Sequence, residues 1–329
     1  MIITKTPFRM SFFGGGTDIP SFFNQHGGSV ISTTFDKFCY VNLRYLPPFH
    51  PYTSELVYSK LERINNVEEI IHPLIRECMK LHNIDGIRLT YEGDLPARSG
   101  LGTSSTFAVG MLNSFYALKG QMVSKQQLAK EAIHVERDIL KEHGGWQDQV
   151  AASYGGFNRI DFKENEFSVK PIIISHERKN VLNDNLLLFY TNMQRLSYEI
   201  QASTFSNTND KTEQLKGMLK LVDDAENIIC NENTDINEFG KLLDETWKIK
   251  RGIGSKVTNS TIDEIYETAK KAGALGGKLL GAGGGGFFLF YCEKEKQEKL
   301  KKELQKLMNV PFNFENEGTQ ILYYNPQKY

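Results

Sequence analysis

The sequence predicts a chain of mixed helices and strands in two domains, and three observations carry that prediction. Its 329 residues suit two domains of ordinary size, at roughly 100–200 residues each. With 40% of residues hydrophobic it can build a full core, which excludes gross disorder. Runs with strand-like alternation and runs with helical periodicity occur together, without internal repeats or low-complexity segments.

In chain order, residues 41–45 and 87–91 alternate apolar and polar side chains as half-buried strands do. Residues 67–81 between them carry a helical pattern. A helix is expected from near Thr103 to before Gly120, with Phe107, Met111, Phe115 and Leu118 on one side. Ser124 and Gln127 form a capping box opening the next helix, whose apolar stripe is Leu128, Ala132, Val135 and Ile139. That helix should stop near His143-Gly144-Gly145. Residues 154–192 read as extended, with strands at 172–174 and 186–190. After the polar stretch Asn207-Thr208-Asn209-Asp210, helices are expected at about 211–230, 236–251 and 261–272 from their periodicity. Residues 287–291 form a strand, Leu300, Leu304 and Leu307 mark an amphipathic helix, and 320–324 form a last strand. A boundary near 180 divides the chain into 1–180 and 181–329.

Composition excludes several function classes. A formal net charge of −1, from 39 Lys+Arg against 40 Asp+Glu, argues against a nucleic-acid binder, which carries a basic surplus or stripe. The longest apolar run, 287–292, is far short of the ~20 residues that span a bilayer. The N-terminus does not read as a signal peptide, since Gly14-Gly15-Gly16 interrupts any apolar core, so a cytoplasmic chain is expected. Cys39, Cys78, Cys230 and Cys292 lie far apart, without a Cys-x-x-Cys pair, and read as small buried hydrophobes. His134 and His143 have no metal-ligand spacing.

Four segments carry chemistry. In Asp94-Leu-Pro-Ala-Arg-Ser-Gly-Leu-Gly-Thr-Ser-Ser105, a Gly/Ser/Thr loop runs directly into a helix. Such a loop aims free N–H groups and the positive dipole end at an anion, and the hydroxyls of Thr103, Ser104 and Ser105 add donors and a possible magnesium ligand. It lacks the Gly-Lys-Ser/Thr of a Walker A loop, and an ordinary helix cap is the alternative reading. Gly281-Ala-Gly-Gly-Gly-Gly286 matches G-x-G-x-x-G, but a helix precedes it and a strand follows, the reverse of a dinucleotide site. So many glycines suit a backbone that packs closely on a ligand or another loop. In Pro7-Phe-Arg-Met-Ser-Phe-Phe-Gly-Gly-Gly-Thr-Asp18, Arg9 sits among apolar residues and must pair or face a cleft. Asp18 could accept hydrogen bonds from hydroxyls, or simply form a turn. Finally, Glu136 borders the apolar stripe of its helix, and Asp148 follows Gly144-Gly145-Trp146-Gln147.

Together these segments resemble the galactokinase, homoserine kinase, mevalonate kinase and phosphomevalonate kinase (GHMP) family. Its three motifs match Pro7 to Asp18, Pro96 to Ser105 and Lys278 to Gly286, in order and over nearly the whole chain. The resemblance implies an α+β fold with a ribosomal S5 domain 2-like N-terminal domain, a ferredoxin-like C-terminal domain and a site in the cleft between them. It also implies an ATP- and magnesium-dependent sugar kinase. Gly100, Leu101, Gly102, Thr103, Ser104 and Ser105 would then cradle the ATP phosphates, with Ser104 and Glu136 as magnesium ligands. Asp148 would be the catalytic aspartate and Arg9 its partner. Asp18, Thr17, Gly15, Gly16, Gly283 and Gly284 would approach the acceptor.

Within the family, Gly-Gly-Gly-Thr-Asp is most like the heptose 7-phosphate kinases, implying transfer to an anomeric hydroxyl in nucleotide-activated heptose synthesis. Galactokinases carry Gly-Glu-His-Thr-Asp there, so the chain departs from them at Gly15 and Gly16. Fucokinases, with a Gly-Gly-Trp-Ser-Asp-like version, are the nearer alternative. A non-catalytic sugar and ATP sensor is disfavoured by Asp148, Glu136, Ser104 and Arg9 occurring together, and an oxidoreductase by the reversed glycine-loop context. Expected partners are ATP and a small sugar phosphate, with no nucleic acid or membrane. Arg98, Arg195, Lys250 and Arg251 are available for an acceptor phosphate, with solvated surface the default for each.

Overall fold

The computed structural model describes residues 1–97, 99–193, 211–254 and 256–328. Arg98, Arg195 and the stretch 207–210 lie outside the described residues.

β1 (Ile2–Phe13) and β2 (Gly28–Tyr45) pair antiparallel, joined by the glycine turn and α1 (Pro20–His26). Their register shifts between Pro7 and Arg9, as befits a proline that cannot donate to the ladder. Then follow β3 (Ser54–Val57), β4 (Leu61–Ile64), α2 (Pro73–His82), β5 (Ile87–Gly93), α3 (Thr103–Leu118), α4 (Lys125–Ile133), α5 (Gln147–Tyr154), β6 (Phe157–Lys163), β7 (Glu166–Pro171) and α6 (His176–Asp184). The second half holds β8 (Leu186–Tyr190), α7 (Thr212–Cys230), α8 (Asn237–Ile253), α9 (Ser260–Ala272), β9 (Gly276–Leu279), β10 (Phe287–Tyr291), α10 (Gln297–Glu303), β11 (Met308–Val310), β12 (Phe314–Glu315) and β13 (Gln320–Tyr324).

The larger, nine-stranded sheet has the order β13-β1-β2-β5-β3-β4, with β6 and β12 also on β2 and β7 on β6. The four-stranded sheet has the order β11-β8-β10-β9, antiparallel throughout. Counted along the chain that order is 4-1-3-2 in a β-α-β-β-α-β sequence, the ferredoxin-like arrangement the resemblance implied. The chain thus has the α+β fold expected of it.

Several expectations change. The helix expected over 67–81 begins only at Pro73, a residue suited to a helix's first turn. Residues 172–174 do not form a strand: β7 ends at Pro171, and Ser175 caps α6 inside the stretch read as extended. Ser124 Oγ caps α4 by accepting from Gln127 N at 3.1 Å, while the Gln127 side chain donates to Tyr116 Oη at 2.9 Å; α4 ends at Ile133 and the chain widens into a π-turn over His134–Ile139. The expected segment 181–329 is not one spatial unit, since β12 and β13 complete the larger sheet. β13 covers the edge of β1, whose amides and carbonyls would otherwise stay unpaired.

The sheets meet where the end of β1 packs on α8. Phe12 and Phe13, both fully buried, meet Phe239 edge-to-face at 5.3 and 5.0 Å between ring centroids. Lys278 of β9 donates to the Phe12 carbonyl at 2.8 Å, tying the floor of the interdomain cleft.

Candidate active site

The cleft encloses about 740 Å³, counting space open to solvent, and both halves line it: Arg9, Asp18, Arg137 and Asp148 from the first, Lys250 and Lys278 from the second. Three backbone features shape it. At the mouth of α3, Gly102 is the N-cap in the left-handed region (φ 74°), and no side chain caps the first turn. The amides and dipole of that turn can receive an anion. Next, the loop from Gly281 to Gly286 joins two antiparallel strands and lies against the α3 approach. A Cβ on Gly281 would stand 2.5 Å from Gly100 Cα, and one on Gly286 would stand 2.2 Å from the Ser99 carbonyl oxygen. Only glycine permits that approach. Third is the Gly14–Asp18 turn. Thr17 is fully buried, and its hydroxyl bonds to the carbonyls of Gly14 (2.8 Å) and Ser29 (2.9 Å).

The ionic centre joins these features. Arg9, 4% exposed, reaches Asp148 Oδ1 with Nε and Nη2, each at 2.7 Å. Its Nη1 donates to the Gly100 carbonyl at 3.0 Å, so one guanidinium ties the aspartate to the α3 loop. Asp148 stands in the first turn of α5 against Gly102, where a Cβ would be 3.2 Å from its carboxyl carbon. Asp18 is 2% exposed and accepts from the backbone amides of Gly16 (2.9 Å) and Gln147 (3.1 Å). Burial, and secondarily the Asp148 charge, pushes its carboxyl above the usual range.

Gly145 packs against that carboxylate: a Cβ there would fall 1.8 Å from Asp18 Oδ2. Gly145→Ala should therefore displace Asp18 and destabilise the fold by about 1–3 kcal/mol, the usual range for overpacking. A thermal melt coincident with wild type would show that Asp18 moves aside freely.

Glu136 is 1% exposed within the π-turn, a feature frequent at functional sites. Its Oε2 accepts from Ser105 Oγ at 2.6 Å and from Gln149 Nε2. A carboxylate beside a hydroxyl at the start of α3 is the hard-oxygen donor set that magnesium takes. Ser104, expected as the hydroxyl ligand, is exposed, and it is Ser105 that the structure brings to Glu136.

Gly15 and Gly16 line the cleft as expected, but Thr17 spends its hydroxyl inside the turn. Gly283 and Gly284 are not at the lining: a Cβ on Gly283 would meet Val257 Cα at 2.7 Å, and Gly284 N donates to the Val257 carbonyl. Of the expected phosphate cradle, Leu101 is buried and can offer only backbone, while Thr103 is half-buried. Arg251 turns away to Asp263 (3.2 Å) and the rings of Trp247 and Tyr266.

Sequence reasoning missed Lys278, Arg137, Ser11 and Gln147, and left Lys250 as surface. Ser11 Oγ and Gln147 Oε1 line the cleft buried and without a hydrogen-bond partner among the described residues. A lysine directly before Leu279-Leu280, inside the expected third motif, was the signal available in the sequence for Lys278. Burial, then the charges of Lys250 and Arg9, pushes the Lys278 ammonium well below the usual lysine range.

The two glycine loops and the Arg9–Asp148 pair meet at one cleft between the two domains. The profile described as "GHMP kinases N terminal domain" matches residues 65–156, and that described as "GHMP kinases C terminal" matches 225–310. The chain belongs to the GHMP kinases and is an ATP-dependent phosphotransferase. It is 30% identical over 335 residues to D-glycero-alpha-D-manno-heptose 7-phosphate kinase of Campylobacter jejuni, covering 96% of this chain and 97% of that one. It is 25% identical to the L-fucokinase/L-fucose-1-P guanylyltransferase of Bacteroides fragilis, covering 93% of this chain and 36% of that protein. The crystal structure of a D-glycero-D-manno-heptose 1-phosphate kinase from Bacteroides thetaiotaomicron shares the fold, with a TM-score of 0.80, 22% identity and coverage of 98% and 99%. No helix among the described residues is long and apolar enough to cross a membrane.

Proposed function

We propose that this sugar kinase of the GHMP family transfers the γ-phosphoryl group of ATP to the anomeric hydroxyl of D-glycero-D-manno-heptose 7-phosphate, giving the 1,7-bisphosphate. One observation carries the reading: the Arg9–Asp148 pair stands between the Gly100 loop and the buried Asp18. A phosphoryl donor at the mouth of α3 and a hydroxyl acceptor at Asp18 would meet at Asp148. The full-length likeness to the Campylobacter jejuni enzyme supports the choice of acceptor.

Phosphoryl transfer asks for positioning and charge stabilisation more than for covalent chemistry. The α3 amides from Gly100 to Ser105 hold the ATP phosphates. Asp148 orients the acceptor hydroxyl and takes its proton, while Arg9 fixes that carboxylate through two donors to one oxygen. Asp18, with the unpaired Ser11 Oγ and Gln147 Oε1, accepts and exchanges hydrogen bonds with sugar hydroxyls. Glu136 and Ser105 would hold magnesium, with Ser104 beside them at the open mouth. When bound, the ion neutralises charge on the β- and γ-phosphate oxygens.

ADP release with Mg-ATP tests the reading against D-glycero-D-manno-heptose 7-phosphate, the unphosphorylated heptose, L-fucose, galactose and mannose. Turnover confined to the heptose 7-phosphate is expected. Turnover on fucose or galactose instead overturns the acceptor and keeps the kinase.

A further inference from the structure

Two ammonium groups in the cleft wall have no carboxylate within ion-pair distance among the described residues. Lys278 is 2% exposed and bonds to one carbonyl. Lys250, in the last turn of α8, donates to the carbonyls of Leu279 (2.8 Å) and Gly281 (2.6 Å). An ammonium has three donors, so one on Lys250 is uncommitted to these carbonyls. Gly281 packs directly on Gly100, whose carbonyl holds Arg9. Lys250 and Arg9 thus converge on the seam between the two glycine loops, one from each domain. A buried cation held only by neutral carbonyls is costly until an anion arrives.

We propose that Lys250 is a catalytic residue that receives the oxygens of the γ-phosphoryl group during its transfer. This rests on the kinase reading above and not on which sugar accepts. The acceptor oxygen bonds to the γ-phosphorus as the bond from that phosphorus to the β–γ bridging oxygen breaks. The electron pair leaves with ADP, and the acceptor proton passes to the Asp148 carboxylate. Lys250 stays protonated throughout, supplying a donor and a positive charge where negative charge spreads over the transferring oxygens.

The surroundings of Lys250 make that charge sensitive to pH. The titratable groups sharing the cleft with it are Arg9 from β1, Lys278 from β9, Asp18 from the turn, Arg137 from the π-turn and Asp148 from α5. The α7 face packed on the end of α8 is apolar (Leu215 and Met218 against Ile253), and β10 brings only uncharged side chains. Burial first, and Arg9 second, pushes the Lys250 ammonium down to about 7. In the free enzyme the charged form is lost as pH rises through that value, so kcat/KM falls on the alkaline side. A guanidinium at this position remains charged there.

The test is kcat, KM, ATP affinity and pH profile for Lys250→Met and Lys250→Arg, with D-glycero-D-manno-heptose 7-phosphate and the unphosphorylated heptose as acceptors. Lys250→Met should lose at least about 100-fold in kcat on every acceptor that wild type uses, the cost of one transition-state donor. Its equilibrium ATP affinity should stay within about threefold. Lys250→Arg should recover at least about tenfold of the lost kcat, and its alkaline decline should move to higher pH. A kcat near wild type in Lys250→Met overturns the proposal. So does a loss confined to KM for the phosphorylated acceptor, which would make Lys250 a clamp for the acceptor's own phosphate. An alkaline limb that stays near pH 7 in Lys250→Arg also overturns it, because a purely structural strap to Leu279 and Gly281 would leave the profile unmoved. Wild-type inactivity on the heptose 7-phosphate would refute the acceptor alone, and the variants are then read on whichever panel sugar turns over.

Discussion

Asp148→Asn is expected to lower kcat by about three orders of magnitude, within the range attributed to a positioned proton acceptor. Asparagine keeps the shape of the side chain, and its carbonyl can still accept from Arg9 Nε and Nη2. What it loses is the negative charge and the ability to take the acceptor's proton. The donor side of the cleft is separate: the α3 amides and the Gly281 loop do not depend on Asp148 for their shape, since Gly102 needs only room beside it. Equilibrium ATP affinity should therefore stay within about twofold while turnover collapses, the signature of an interaction made in the transition state. Near-normal turnover would remove Asp148 from the catalytic role. Loss of ATP binding together with turnover would make its function the support of the α3 loop through Arg9 and Gly100.

Glu136→Gln should raise the magnesium concentration for half-maximal activity by about tenfold or more, equivalent to at least about 1.4 kcal/mol of binding. The carboxylate is buried, yet its Oε2 bonds to Ser105 and Gln149 can both be kept by a glutamine carbonyl in the same place. The fold should survive the change, and a thermal melt checks this. The charge does not survive, and a hard dication at this carboxylate and hydroxyl would lose the anion that stands beside Ser105. A magnesium titration overlaying that of wild type would exclude Glu136 as a ligand. Ser105→Ala separates the hydroxyls: a shifted titration there and none in Ser104→Ala follows from the contact of Ser105 with Glu136.

Much of the donor side was legible in the chain. The glycine and serine run before α3, the cap at Ser124 and the glycine-rich third segment are signals carried by near neighbours. A left-handed N-cap or a first-turn hydroxyl depends on residues within one turn of it. Arg9 among apolar residues announced that it needed a partner, and Asp148 is that partner. The acceptor side was less legible. Thr17 and Gly283 belong to the expected motifs, but their contacts fall on Ser29 and Val257 at some distance along the chain. The π-turn that buries Glu136 gave no periodic signal, because the stripe of its helix continues through it in sequence.

By itself, then, the sequence determined the glycine and hydroxyl run that opens α3 and the set of glycines that let two loops touch. These follow from backbone freedom and hydrogen bonding over a few residues. Only the tertiary structure decided that Lys250 and Lys278 face Arg9 across a cleft, that Ser105 rather than Ser104 meets Glu136, and that β13 closes the first sheet. The physical reason is the same in each case. A charge's partners, and an edge strand's, are chosen by which surfaces the core brings together, and that core is packed by contacts such as Phe12 on Phe239, more than two hundred residues apart.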